Sequence, residues 1–343
     1  MKVIFFDTHQ FDKAAFLAAN DKFNFNIEFQ EVCLNAKTAR LAHGSNVVCS
    51  FVNDKVDDEC IKNLKTLGVQ LIALRSAGFN HVDLISAQKH GIQVVRVPSY
   101  SPHAVAEFAI GMLLTLNRNI HRAYNRVREL NFSLDGLVGF NLYKKNIGII
   151  GAGKIGKIFA QLMVSFGCNV LVNDINKDPD LEKNASIQYV DLSDLYSQSD
   201  IISLHLPLTP ETHHLINHGS IEKMKSGVVI INTGRGALID SKALIDGLKN
   251  SKIGGAALDV YEEEENLFFR DLSNEVLQDD ILARLLTFPN VLITSHQAFL
   301  TKEALQSIAV TTLQSIDEFS KTGKVAEERV VNPECCMKGS HHG

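Results

Sequence analysis

The chain has 343 residues, 45% of them hydrophobic and 21% charged, with a formal net charge of −5. That is enough apolar material for a large core and more length than one core usually organises, so two domains are expected. Acidic and basic residues are mixed along the chain, which leaves no electrostatic footprint for nucleic acid or an anionic membrane.

The opening MKVIFFDTHQ carries one Lys and an apolar run that meets Asp7, too short for the core of a signal peptide, and reads as a first strand. No segment approaches the roughly 18 apolar residues that a membrane helix needs, since AIGMLLTLN and NIGIIGAG both end early. The cysteines at 33, 49, 60, 168, 335 and 336 are irregularly spaced with no CxxC pair, as expected of free thiols in a reducing, cytoplasmic compartment. Cys335 and Cys336 fall in a tail, residues 333–343, whose closing GSHHG reads as an appended remnant outside the fold.

From the start the runs VIFFDT, FNIEFQEV, SNVVCSFVN, VQLIALRSAG and IQVVRVPS are each followed by a polar or amphipathic stretch. That repetition predicts a parallel sheet with helices on its faces. At Ser101 the texture changes: Ser101 suits an N-cap, Pro102 a first helical position, and AVAEFAIGMLLTLNR is apolar nearly all round. Such a helix is expected to lie buried between domains or subunits.

A second series follows, with NIGIIGAGKIG, CNVLVND, DIISLHLPLT, GVVIINTGRG, IGGAALDVYE and NVLITSHQA. Near-continuous apolar runs are what strands covered on both faces look like. The helical pattern EALQSIAVTTLQSIDEF then carries the chain back. The expectation is an α/β protein of two doubly wound parallel-sheet domains, Rossmann-like or flavodoxin-like, with a cleft between them. Residues 1–100 plus 299–332 would form a discontinuous substrate domain and 101–298 a nucleotide-binding domain.

Gly151, Gly153 and Gly156 form G-A-G-K-I-G between a strand and a helix, the order in which glycines allow a tight turn and a close approach to pyrophosphate at a helix N-terminus. Asp174 ends the next strand about twenty residues on, where an acid accepts ribose hydroxyls and repels a 2′-phosphate; this favours NAD over NADP. Later strands also end in polar or unusual residues: His205, Leu206 and Pro207; Thr233, Gly234 and Arg235; Asp259 with Glu264 beyond it; and His296. Ligands of doubly wound sheets bind outside the carboxyl ends of strands, so these residues are expected to converge. Arg235 can grip a carboxylate with two parallel donors. His296 is suited to exchange a proton with a carbonyl or hydroxyl oxygen, and Glu264 to orient it. His213, His214 and His218 are candidate metal ligands, but no acid lies between His214 and His218 as a zinc hydrolase helix would need, so no metal is expected.

At these residues, and in ALRSAGFNHVDL, RVPSYSPHAVAEFAIGMLLTLNR, NFSLDGLVGF, NTGRGALID, DVYEEEENLFFRDLSNEVLQDD and HQAFLT, the chain resembles the D-isomer-specific 2-hydroxyacid dehydrogenases. Among them it is most similar to the fermentative D-lactate dehydrogenases, over nearly all of residues 1–332. The resemblance implies an NAD-dependent oxidoreductase with Arg235 orienting the substrate, Glu264 as partner of the acid/base and His296 as proton donor. It further implies that backbone at Ala77 and Gly78 meets the substrate carboxylate, and that Tyr100, Phe299 and Phe51 shape the pocket. For the cofactor it points to Ile155, Gly156, Asp174, Pro207, Thr233 to Arg235, and Asp259. Spacing from Asp259 selects Glu264 from the acidic run 262–265. A homodimer or homotetramer reducing pyruvate to D-lactate is implied. The rival readings are a relative acting on a bulkier 2-keto acid and an NAD(H)-sensing, corepressor-like binding protein.

Overall fold

Short β-branched runs separated by helices pair into two sheets in the structure, a computed structural model that describes residues 1–264 and 267–334. The chain folds as two compact units, one of Met1–Ser101 with the residues from Phe299 onward, the other of Pro102–Ala298. The first contains β1 (Lys2–Phe5), β2 (Asn26–Phe29), β3 (Val47–Ser50), β4 (Leu71–Leu74) and β5 (Gln93–Val95), all parallel. The second contains β6 (Asn146–Ile150), β7 (Asn169–Asn173), β8 (Ile187–Tyr189), β9 (Ile201–Leu204), β10 (Val228–Asn232), β11 (Ile253–Leu258) and β12 (Val291–Ile293), also parallel. The chain then returns to the first sheet with β13 (Val330–Val331), antiparallel to β5.

The first sheet runs β2-β1-β3-β4-β5-β13 and the second β8-β7-β6-β9-β10-β11-β12. These are the flavodoxin-like and dinucleotide-binding strand orders of doubly wound folds, each extended by one edge strand. Neither β8 nor β13 is expected from the sequence. Both are short edge strands, and β13 departs from an all-parallel sheet by running the other way.

Burial explains which runs are easiest to read. Every residue of β3, β4, β9 and β10 is buried, whereas the edge strands β2 and β12 have no buried residue. Successive side chains alternate faces: Ile202 and Ile230 enter one core of the second unit, Ile201 and Ile231 the other.

The helix Pro102–Asn117 buries one face in its own unit. Ala106, Ala109, Ile110, Met112, Leu113 and Leu116 are buried within the second unit, in the core that also holds Ile147, Ile149 and Phe159. Its apolar character is thus satisfied inside its own unit and does not by itself call for another domain or subunit. The helix Lys302–Thr322 is capped by Thr301, whose Oγ1 accepts from the Ala304 amide, and ends at Gly323, φ 70°. It packs against the helix Gln10–Asn20 and β4.

Cys33, Cys49, Cys60 and Cys168 form no disulfide among the described residues, and the last three are buried; Cys335 and Cys336 lie outside the described residues. Among the described residues no helix is long and apolar enough to cross a membrane.

Candidate active site

In the second sheet the strand order reverses between β6 and β9, and the residues past their carboxyl ends meet there. Gly151 adopts φ +92°, and a Cβ on it would stand 2.5 Å from the carbonyl oxygen of His205. A Cβ on Gly156 would stand 2.0 Å from the carbonyl oxygen of Gly151. Both glycines are therefore required by close backbone approach. Gly153 is the N-cap of the helix Lys154–Ser165 and supplies no side-chain cap, so the first-turn amides have no side-chain acceptor there. Asp174 fastens the turn to the end of β7: its Oδ2 accepts from the Ala152 amide at 2.5 Å and its Oδ1 from the Asn176 amide at 2.7 Å.

His205 contributes its backbone to this turn, while its ring faces inward. Nε2 lies 2.8 Å from Ser203 Oγ and the ring centroid 4.9 Å from that of Phe159. Burial lowers its pKa to about 3, which keeps it neutral and removes it as a proton donor. Leu206 presents its amide beside Gly151, the Pro207 carbonyl accepts from Thr212 Oγ1 at 2.7 Å, and Ile155 packs partly buried against the core below.

The loop after β10 is held by a residue that sequence reasoning passes over. Asn232, fully buried at the strand end, accepts from the Gly234 amide through Oδ1 at 3.0 Å and donates through Nδ2 to the Arg235 carbonyl at 2.8 Å. An amide side chain closing an otherwise apolar strand, VVIIN, was the available signal. Thr233 is buried, and its hydroxyl has no partner among the described residues. A Cβ on Gly236 would stand 2.0 Å from the carbonyl of Tyr261, so glycine there lets the Arg235 loop lie against the turn that carries Glu264.

Glu264 Oε1 accepts from His296 Nδ1 at 2.9 Å, while Oε2 accepts from the Tyr261 amide at 3.1 Å. Burial pushes the Glu264 carboxyl up, but the hydrogen bond and charge of His296, the Tyr261 amide and the Arg235 guanidinium together hold it below the usual carboxylate range. Glu262 turns instead to His214, Glu263 is exposed, and Glu265 lies outside the described residues. Phe269, also missed in the sequence, places its ring centroid 6.0 Å from that of His296.

His296 adopts a left-handed φ of 53°, which costs a non-glycine residue free energy unless its surroundings enforce it. Asp259 enforces it. Its carbonyl accepts from the His296 amide at 2.7 Å, and its buried carboxylate accepts from Thr294 Oγ1 at 2.6 Å and the Gln297 and Ala298 amides at 2.8 Å each. The geometry gives Asp259, expected to touch the cofactor, the task of shaping the loop that presents the imidazole.

In the first unit the remaining residues also lie past strand ends. Phe51 follows β3, Ala77 and Gly78 follow β4, and Tyr100 follows β5. The Phe299 ring centroid stands 6.4 Å from that of Phe51 and 6.3 Å from that of Tyr100, edge-on in both cases. Fully buried Arg75 lies 4.8 Å from the Phe51 ring centroid. The carbonyls of Ala77 and Gly78 accept from Arg96 and Ser76, whereas their amides donate to no acceptor among the described residues.

The glycine turn, the helix N-terminus and the unsatisfied Thr233 hydroxyl suit a dinucleotide. Residues 110–298, more than half of the chain, match the family model for the D-isomer specific 2-hydroxyacid dehydrogenase NAD binding domain. The chain belongs to that family. It is 53% identical to a 2-hydroxyacid dehydrogenase homolog of Haemophilus influenzae over 96% of this chain and 99% of the relative. It is 52% identical to the D-lactate dehydrogenase of Escherichia coli over 94% and 97% of the two chains. The apo-structure of D-lactate dehydrogenase from Escherichia coli matches with a TM-score of 0.88 at 48% identity, covering 96% of this chain and 100% of that one.

Proposed function

We propose that this member of the family is an NAD-dependent D-lactate dehydrogenase that reduces pyruvate. The observation that carries the reading is the Glu264–His296 pair beside the Arg235 loop, at the carboxyl ends of β10 to β12 in the NAD-binding domain. The reduced nicotinamide, when bound, supplies a hydride to C2 of the keto acid. Protonated His296 gives its proton to the carbonyl oxygen, and Glu264, accepting from Nδ1, orients the ring. Arg235 pairs with the substrate carboxylate, and the Ala77 and Gly78 amides are the first unit's own donors suited to a carboxylate. Gly151 to Gly156 would hold the pyrophosphate, Asp174 the ribose, and the backbone at 205–207 and Thr233 the rest of the dinucleotide.

In this reading the discontinuous unit is the substrate domain. Its aromatic group of Phe51, Tyr100 and Phe299 suits a small side chain such as methyl. Free, largely buried thiols support a cytoplasmic location. The segment between the helix Pro102–Asn117 and β6 exposes Leu130 (78%), Phe132 (68%), Leu134 (78%) and Val138 (91%), apolar surface that supports a homodimer or homotetramer.

NADH oxidation with pyruvate, phenylpyruvate and 2-ketoisocaproate, followed by chiral analysis of the lactate, tests the assignment. The expected result is D-lactate as product and a kcat/KM for pyruvate at least about tenfold above the bulkier acids, or about 1.4 kcal/mol. Preference for a bulkier acid would move the chain to a sister activity. No absorbance change with any keto acid would favour a nucleotide-sensing protein.

A further inference from the structure

The acid missing from the sequence around His213 and His214 is supplied by a different part of the fold. Glu262, in the turn after β11, brings Oε1 to 2.5 Å from His214 Nε2. One ligand atom from each of His213, His214 and Glu262 lies within 4.8 Å of the others. His213 is exposed and the other two are half-buried, so solvent ions can reach them. The geometry points to a zinc site formed by His213, His214 and Glu262, with a water or an external ligand completing a tetrahedron.

The donor set selects the ion. Two imidazoles and a carboxylate suit zinc, whereas magnesium and calcium need a shell of oxygens.

The ligands are oriented from behind, as metal ligands usually are. Glu262 Oε2 accepts from the Ser241 hydroxyl at 2.9 Å and from the Ser241 amide at 3.3 Å, which turns Oε1 towards the histidines. The His214 amide donates to the Ala237 carbonyl at 2.8 Å, and its carbonyl accepts from Asn217 Nδ2 at 2.9 Å. The rings of His213 and His214 stack with centroids 3.9 Å apart, which keeps the two imidazoles side by side. His218, which helical spacing alone would pair with His214, faces Asp246 at 3.3 Å and stays outside the set. Coordination would tie the segment around His214 to the turn that ends in Glu264, two residues beyond Glu262.

The test is zinc titration of the chelator-stripped full chain against a chromophoric competitor, for the parent, His213→Ala, Glu262→Gln and His218→Ala. Cys335, Cys336, His341 and His342 are present in every variant, so their zinc cancels. The parent and His218→Ala should bind one more zinc per chain than the other two, or bind it at least tenfold more tightly. Cobalt in that site should give visible d–d bands without a thiolate charge-transfer band. Because His213 is exposed, its replacement leaves the core intact, and circular dichroism checks this. Equal zinc stoichiometry and affinity in the parent, His213→Ala and Glu262→Gln would overturn the site. So would loss in His218→Ala, or a thiolate band in the part of the cobalt spectrum that His213→Ala removes.

Discussion

The chemistry of Glu264 depends on its staying ionised beside His296. Its carboxyl is held below the usual carboxylate range, so it meets His296 Nδ1 as an anionic acceptor. Glu264→Gln removes that anion while keeping a side chain of similar shape. The expected outcome is a kcat/KM for keto-acid reduction lower by about tenfold or more, with NADH binding unchanged. An unchanged kcat/KM would take Glu264 out of the reaction. Glu264 could be chosen from the acidic run by its distance from Asp259. What spacing could not show is why Glu262 points elsewhere: the Tyr261 amide reaches forward to Glu264, while Ser241 and His214 take Glu262.

At the scale of elements, glycines decide how closely segments approach. Gly156→Ala drives a Cβ to 2.0 Å from a backbone oxygen, which cannot yield as a flexible side chain would. NADH binding should weaken at least about tenfold, the loss of roughly 1.4 kcal/mol, as measured by fluorescence titration. Gly111→Ala is the matched control. Gly111 lies in the helix Pro102–Asn117 with nothing within 4 Å of the added carbon. That change should leave NADH binding unaltered and raise stability by up to about 1 kcal/mol, read from denaturant midpoints. Equal binding by the parent and Gly156→Ala would remove the turn from the cofactor site.

The same scale shows what the sequence made legible. Fully buried strands such as VVIIN and IISL announce themselves by uninterrupted apolar character, and the glycine turn by its place between strand and helix. The edge strands β8 and β13 do not, since three and two residues of mixed burial carry too little pattern. Phe269 and the loop bonds of Asp259 were also out of reach, as was the way Asn232 and Gly236 hold the Arg235 loop. Each acts through a neighbour on another segment or through loop geometry that exists only in the folded chain.

For the whole molecule, the exposed segment around residues 130–138 is the feature left over when the two cores are built. Side chains as open as Leu130, Phe132, Leu134 and Val138 are costly to keep in water, and burial of such groups recovers about 25 cal/mol per Å². Val138→Asp should therefore lower the mass measured by light scattering at micromolar concentration, from an oligomer towards a single chain. The same mass for parent and variant would take this surface out of the assembly. The helix Pro102–Asn117 gives a warning from the sequence side: all-round apolar character identified burial but could not say where, and the partner is its own sheet.

His296 supplies the proton in this reading while other residues hold the cofactor, so its loss should separate turnover from NADH binding. With His296→Gln and the parent measured side by side, the account predicts NADH binding within about threefold of the parent and pyruvate turnover lower by about 10² to 10⁴. Turnover within tenfold of the parent, with NADH still bound, would contradict it.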